Sequence, residues 1–263
     1  MKVGWIGLGR MGEAFAIATL GKGHDLIAHS RGERPRPALT SAGGRITGSL
    51  QDAVRDAEVI GVGLFNDAQV REVLIDSGVM GAMKPGVVVA LHTTGTPDVA
   101  EAAAAAAPAG VTVLDATFSG TEANAAAGDI RLFVGGDEAA LERARPVLSA
   151  YCSPIIHLGG VGAARRLKLI NNLLFAAQVA LGAEALGAAQ ALGLSVEKAL
   201  EGLSLSSGGS FALNTFKGAA IEARLTGLAH YLDKDVDAAR AAARAEGLTF
   251  PLMEAAAARW GSA

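Results

Sequence analysis

Up to about residue 158, short apolar runs rich in β-branched residues alternate with alanine-rich stretches, and Gly, Pro, Asn and Asp mark the joins. The runs are Lys2–Ile6, 25–28, 59–64, 87–91, 111–115, 131–134 and 155–157. Strands that alternate with helical patterns predict βαβ units and a mostly parallel sheet. From Gly162 onward these runs vanish. Residues 165–192 read as one long helix without an internal proline, and several shorter helices follow. The texture changes at Gly159-Gly160-Val161-Gly162. The expectation is an α/β domain over 1–161 and an all-α domain over 162–263.

Composition narrows the class. Of the 263 residues 51% are hydrophobic and only 19% charged, which excludes a disordered chain. A net charge of −3 gives no basic field for nucleic acid. The single cysteine, Cys152, cannot form an internal disulfide or a metal site alone, and such cysteine usage fits the reducing cytoplasm. Residues 1–20 are apolar, but Gly4, Gly7, Gly9 and Gly12 interrupt them and Arg10 and Glu13 lie inside. That is neither a signal peptide nor a spanning segment. A soluble, untargeted protein with no membrane partner is expected.

The first candidate chemistry is a glycine loop. Lys2–Ile6 runs into Gly7-Leu8-Gly9-Arg10-Met11-Gly12, and a helical stretch follows. This is G-x-G-x-x-G between strand and helix, the setting in which it signals dinucleotide binding. Gly7 permits the tight turn, Gly9 lets a pyrophosphate approach, and Gly12 lets helix and strand pack closely. The helix amino terminus offers N–H groups and partial positive charge to the anion. Residues 1–161 are therefore read as a Rossmann-like domain.

About 20 residues on, the next strand should end at the group that reads the ribose. There stand His29-Ser30-Arg31-Gly32-Glu33-Arg34-Pro35-Arg36, with no carboxylate at the strand tip. Ser30 can hydrogen-bond, and Arg31 with Arg34 or Arg36 can pair with a 2′-phosphate. The expected cofactor is NADP(H) in preference to NAD(H).

With these motifs the chain resembles the β-hydroxyacid dehydrogenase family, which includes 3-hydroxyisobutyrate dehydrogenases and tartronate semialdehyde reductases. Residues 7–12 match its G-L-G-x-M-G. Leu91-His92-Thr93-Thr94-Gly95-Thr96-Pro97 is similar to its S-T-x-x-P strand end, which implies that Thr94 lies at the nicotinamide ribose. Asp115-Ala116-Thr117-Phe118-Ser119-Gly120-Thr121 resembles D-A-P-V-S-G-G, which implies a substrate carboxylate at Ser119 and Gly120, with Thr121 beside them. Lys168-Leu169-Ile170-Asn171-Asn172 matches K-x-x-N-N, whose lysine is the family's catalytic acid/base. Leu232-Asp233-Lys234-Asp235 is similar to L-x-K-D, whose lysine reaches the cofactor side of the cleft. Leu64 and Phe65 are expected cofactor contacts, and Phe65-Asn66 replaces a proline-containing segment after Leu64, next to the family's adenosine-to-nicotinamide run. Thr121 and Ala164 stand where glycines are usual. These departures bear on the substrate rather than on the reaction type. The resemblance implies a long interdomain helix, a helical domain for substrate and oligomerisation, and a homodimer or homotetramer.

Oxidation of an alcohol by NADP⁺ releases a proton, and some group must take it and return it in reduction. Lys168 can do so if burial and neighbouring cations lower its pKa, and Arg165 and Arg166 precede it. Asn172, four residues on, shares its helical face and can orient the lysine or the substrate oxygen. Leu167, Ile170 and Leu174 are expected to form a buried stripe beside Lys168 and Asn171, the latter a substrate contact. Two asparagines in an apolar helix are not explained by helix propensity. Asn124 either adds a contact or closes a turn, and residues 204–211 form either a cleft-facing or a hinge loop. His92 and Phe118 receive no role.

The five histidines lack metal-ligand spacing, and no G-x-S-x-G elbow is present. The function expected is NADP(H)-dependent hydride transfer with a small 3-hydroxy acid or aldehyde acid. Two alternatives stay open. An NADPH-dependent imine reductase shares the architecture but usually has aspartate or tyrosine where Lys168 stands. A catalytically silent NADP-binding sensor would bind cofactor without turnover.

Overall fold

The computed structural model describes residues 1–31 and 35–261. The chain divides into two compact units, Met1–Arg166 and Leu167–Ala263.

The first unit is built on one sheet. In chain order its elements are β1 (Lys2–Ile6), α1 (Arg10–Gly21), β2 (Asp25–His29), α2 (Pro37–Ser41), β3 (Arg45–Thr47), α3 (Leu50–Val54), β4 (Val59–Val62) and α4 (Asp67–Val70). They continue with β5 (Val88–Leu91), α5 (Pro97–Ala106), β6 (Thr112–Ser119), α6 (Glu122–Ala127), β7 (Ile130–Gly135), α7 (Glu138–Leu148) and β8 (Cys152–His157). The strand order is β3-β2-β1-β4-β5-β6-β7-β8. Only the β6–β7 pairing is antiparallel. The mostly parallel, Rossmann-like sheet implied by the residue pattern is present.

Alternation along each strand feeds two cores, because successive side chains leave opposite faces. Val88 and Ala90 of β5 pack on one side with Trp5 and Phe15. Val89 and Leu91 pack on the other with Ile60 and Val62. The strand β3 was not expected. It is three residues long, Arg-Ile-Thr, too short to show a period, and it exists because the edge of β2 supplies a partner.

Strand β6 runs four residues past the expected end. Leu91 at the tip of β5 pairs with Asp115, and beyond that point β6 continues against β7 alone. Asp115 therefore sits mid-strand, and Ser119 ends it.

The helix α8 (Ala163–Ala191) crosses from the first unit into the second, and α9 (Val196–Leu205), α10 (Phe211–Asn214), α11 (Ile221–Ala245) and α12 (Pro251–Ala256) complete the latter. Its core joins Leu169, Leu173, Val179 and Leu186 of α8 to Leu213, Phe216, Leu225, Val236 and Trp260. The Trp260 Nε1–H donates to the Ala176 carbonyl at 3.1 Å. The expected stripe of Leu167, Ile170 and Leu174 is corrected here. Ile170 and Leu174 are each 43% exposed, and the buried line runs through Leu169 and Leu173 instead. Apolar residues here cover more of the helix than one face can bury, and the polar Arg165 and Asn172 are themselves buried, so periodicity alone does not select the inner face. By length and composition α8 could cross a membrane, but half of its most apolar stretch is buried by packing within the protein.

Candidate active site

The carboxyl ends of β1, β2, β4 and β5 carry the residues expected to face a nucleotide in the first unit, the edge at which open α/β sheets bind ligands. Gly7 has φ +98°, and a Cβ there would lie 2.2 Å from the Gly63 carbonyl oxygen. A Cβ on Gly12 would meet the Gly7 oxygen at 2.1 Å, whereas one on Gly9 would meet nothing within 4 Å. Gly7 and Gly12 are thus required by the turn and by close packing, and Gly9 keeps the approach to the backbone open. Gly9 caps α1 without a side chain, so it places nothing over the first-turn N–H groups. This cradle fits a pyrophosphate. Leu8 is buried in the core, Met11 is half-buried, and the exposed Arg10 pairs with Glu122.

At the tip of β2, Ser30 is buried and its N–H donates to the Thr47 carbonyl, while Arg31 is exposed. Arg36 donates to Glu13 at 3.0 Å. Gly32, Glu33 and Arg34 lie outside the described residues. After β4, the Leu64 N–H donates to the Thr93 hydroxyl at 2.9 Å, and the Phe65 ring is 78% exposed. Thr94 is exposed beyond β5.

Ser119 is half-buried at the end of β6 and Gly120 is exposed beside it. Asn124 closes this turn: its Oδ1 accepts from the Thr121 N–H at 2.9 Å and from the Thr121 hydroxyl at 2.8 Å. The serines at 206 and 210 likewise serve the backbone, donating to the Gly202 carbonyl and accepting from the Leu213 N–H. His92 is a packed core residue. Its Nδ1–H donates to the Ala116 carbonyl at 2.7 Å and its Nε2 accepts from the Tyr151 hydroxyl at 3.0 Å.

In the second unit, Lys168 is half-buried on α8. Burial pulls its pKa below the usual lysine value, and the Asp235 charge partly restores it. The cations expected to lower it do not act on it. Arg165 is fully buried against Asp115, and Arg166 donates to Glu101 at 3.0 Å. Both arginines are neutralised by carboxylates of the first unit, to which they belong. Asn172 is buried and its Oδ1 accepts from the exposed Asn171 amide at 3.2 Å.

On α11 the four motif residues separate by role. Leu232 enters the core, Asp233 accepts from the Gly261 N–H, Lys234 is exposed, and Asp235 is half-buried within electrostatic reach of Lys168. Burial raises the Asp235 pKa, and Lys168 and Lys234 pull it back. The motif names Asp235 but gives it no role of its own. Its signal was a carboxylate beside the motif lysine, but only folding brings it to Lys168. Among the described residues no three His, Cys, Asp or Glu side chains gather as a metal-ligand set.

Sequence models of two known domains account for nearly the whole chain. The NAD-binding domain of 6-phosphogluconate dehydrogenase matches residues 2–159, and the NAD-binding domain of NADP-dependent 3-hydroxyisobutyrate dehydrogenase matches 162–263. The chain belongs to the β-hydroxyacid dehydrogenase family. It is 34% identical over 263 aligned residues to an NAD-dependent L-serine dehydrogenase of Pseudomonas aeruginosa, covering 95% of this chain and 88% of that one. It is 34% identical over 218 residues to a probable 3-hydroxyisobutyrate dehydrogenase of Mycobacterium bovis, covering 81% and 72%. Among solved structures, Mycobacterium tuberculosis 3-hydroxyisobutyrate dehydrogenase with L-serine superposes with a TM-score of 0.87 at 30% identity, over 98% of this chain and 91% of that one. A Streptomyces aurantiacus imine reductase shares the fold at a TM-score of 0.66 and 23% identity, over 94% and 79%. This β-hydroxyacid dehydrogenase is thus a nicotinamide-dependent oxidoreductase of the class acting on CH–OH groups.

Proposed function

We propose that the protein is an NADP(H)-dependent oxidoreductase acting on a small 3-hydroxy acid or aldehyde acid, with Lys168 as general acid/base. The observation that carries this reading is a half-buried lysine, depressed in pKa by burial, with Asp235 in electrostatic reach and Asn172 on its helical face. A lysine whose pKa is lowered from its ordinary value gives up and takes back a proton more readily at working pH.

A bound nicotinamide would supply the hydride donor or acceptor. Residues 7–12 would hold the pyrophosphate, and Ser30 and Arg31 the 2′-phosphate. Leu64, Phe65, Thr94 and Lys234 would line the path to the nicotinamide. The Ser119 hydroxyl and the Gly120 N–H, with Thr121 and Asn171, would bind the substrate carboxylate. In oxidation Lys168 Nζ takes the hydroxyl proton; in reduction it protonates the carbonyl oxygen, and Asn172 orients that oxygen. The same reading includes a cytoplasmic homodimer or homotetramer, which the mass from light scattering would refute if it were that of a monomer.

The deciding experiment follows NADPH and NADH absorbance with small aldehyde acids, 2-oxo acids and cyclic imines. Turnover of aldehyde acids with NADPH is expected. Turnover confined to imines would overturn the substrate class. An NADH preference that Arg31→Ala leaves unchanged would remove the ribose argument.

Asp235→Asn tests the lysine. The carboxylate raises the Lys168 pKa, so its loss lets that pKa fall further. Reduction needs protonated Lys168, and its rate declines as pH rises through that pKa. In the variant the decline should begin at lower pH. A superimposable pH–rate profile would show that Asp235 does not tune Lys168.

A further inference from the structure

Arg165 carries a side chain with no exposed surface, and its polar groups converge on one loop. Its Nε–H donates to Asp115 Oδ1 at 3.1 Å, while its backbone N–H donates to Asp115 Oδ2 at 2.9 Å. The Nη2 group donates to the Thr93 carbonyl at 2.9 Å and Nη1 to the Thr96 carbonyl at 2.8 Å. A longer contact of 3.4 Å joins Nη1 to Asp67 Oδ1. The other Asp67 oxygen accepts from both the Thr96 N–H and the Thr96 hydroxyl, at 2.9 and 3.1 Å.

Residues 92–96 have no regular secondary structure, so their carbonyls need other partners. The guanidinium supplies them on both sides of the exposed Thr94. Gly95 completes the fit, since a Cβ there would fall within 1.8 Å of Asp67 Oδ1. One cation thus ties together the carboxyl ends of β4 and β5, the middle of β6 and the first turn of α8. A lysine could not do the same. Its single ammonium cannot span a carboxylate and two carbonyls, which the planar fork does.

We infer that Arg165 is a positioning residue that holds residues 93–96 in the shape needed for the nicotinamide half of the cofactor. The inference rests on the reading of Thr94 proposed above. A loop ordered in advance costs less to immobilise on binding, so its fixation should register as affinity for the part of the ligand it touches.

The test compares NADPH with 2′-phosphoadenosine 5′-diphosphate, which lacks the nicotinamide riboside, by calorimetric titration of folded protein. Arg165→Lys keeps a cation opposite Asp115, and circular dichroism and thermal melting verify its fold. The expected result is unchanged affinity for the fragment, with at least a tenfold loss for NADPH and a fall in kcat. Equal losses for both ligands, or no loss for either, would overturn the inference. Asp67→Asn, at a partly exposed position, gives the same comparison should Arg165→Lys not fold. Thr94→Ala separates the two readings. If it leaves the NADPH-to-fragment ratio untouched while Arg165→Lys lowers it, the role of Thr94 falls and the positioning of the loop stands.

Discussion

Replacing Lys168 by alanine is expected to lower kcat by about 10²- to 10⁴-fold in both directions, the usual contribution of a positioned acid/base. Affinity for NADPH should stay within a few-fold, because the glycine loop and the β2 tip that would hold it belong to the other unit. The substitution should not unfold the helical unit. Lys168 is only half-buried, and the α8 side chains that build the core are Leu169, Leu173 and their neighbours. Pre-steady-state and steady-state rates with saturating cofactor measure the loss. A reduction of less than tenfold would remove Lys168 from proton transfer and leave solvent to do it.

Acid should destabilise the first unit through His92, by about 3 kcal/mol between pH 6.5 and pH 4. The imidazole is enclosed by Trp5, Phe15, Phe118 and Tyr151, with ring centroids 5.5 to 6.4 Å away. Burial pushes its pKa down from the ordinary 6.5 to about 4, although the Ala116 carbonyl pulls the other way. The unfolded chain therefore takes up a proton near pH 6.5 that the folded chain refuses until about pH 4. Stability is complete above the unfolded value, falls as pH drops through this window, and levels off below it. Against a typical total of about 5–15 kcal/mol, such a loss is large. His24 and His29, less buried, are shifted in the same direction and add to the slope. Urea denaturation of parent and His92→Gln across the window isolates the His92 share. An identical pH slope in the two proteins would mean that His92 is not the titrating group.

How much of this was legible beforehand differs from residue to residue. Gly7 and Gly12 could be read directly, since a G-x-G-x-x-G between strand and helix states its own geometric reason. The parallel sheet and the long helix were legible because their patterns repeat over many residues. The strand β3 was not, because three residues show no period. The inner face of α8 is not legible for a related reason, because near Lys168 the apolar residues exceed one face and two polar ones, Arg165 and Asn172, are buried. From its position before Lys168, Arg165 reads as a source of positive charge, but it is neutralised by Asp115, 50 residues away.

The chain by itself determined the dinucleotide loop, the order of the two domain types and the family motifs that single out Lys168. All of these depend on local spacing, which strand and helix geometry turns into position without reference to the rest of the molecule. Only the tertiary structure decided what surrounds those residues. It set Asp235 within reach of Lys168, enclosed His92 in aromatic rings, and tied Arg165 to the Thr93–Thr96 backbone. Burial and charge pairing act through space, and partners tens of positions apart leave no periodic trace along the chain.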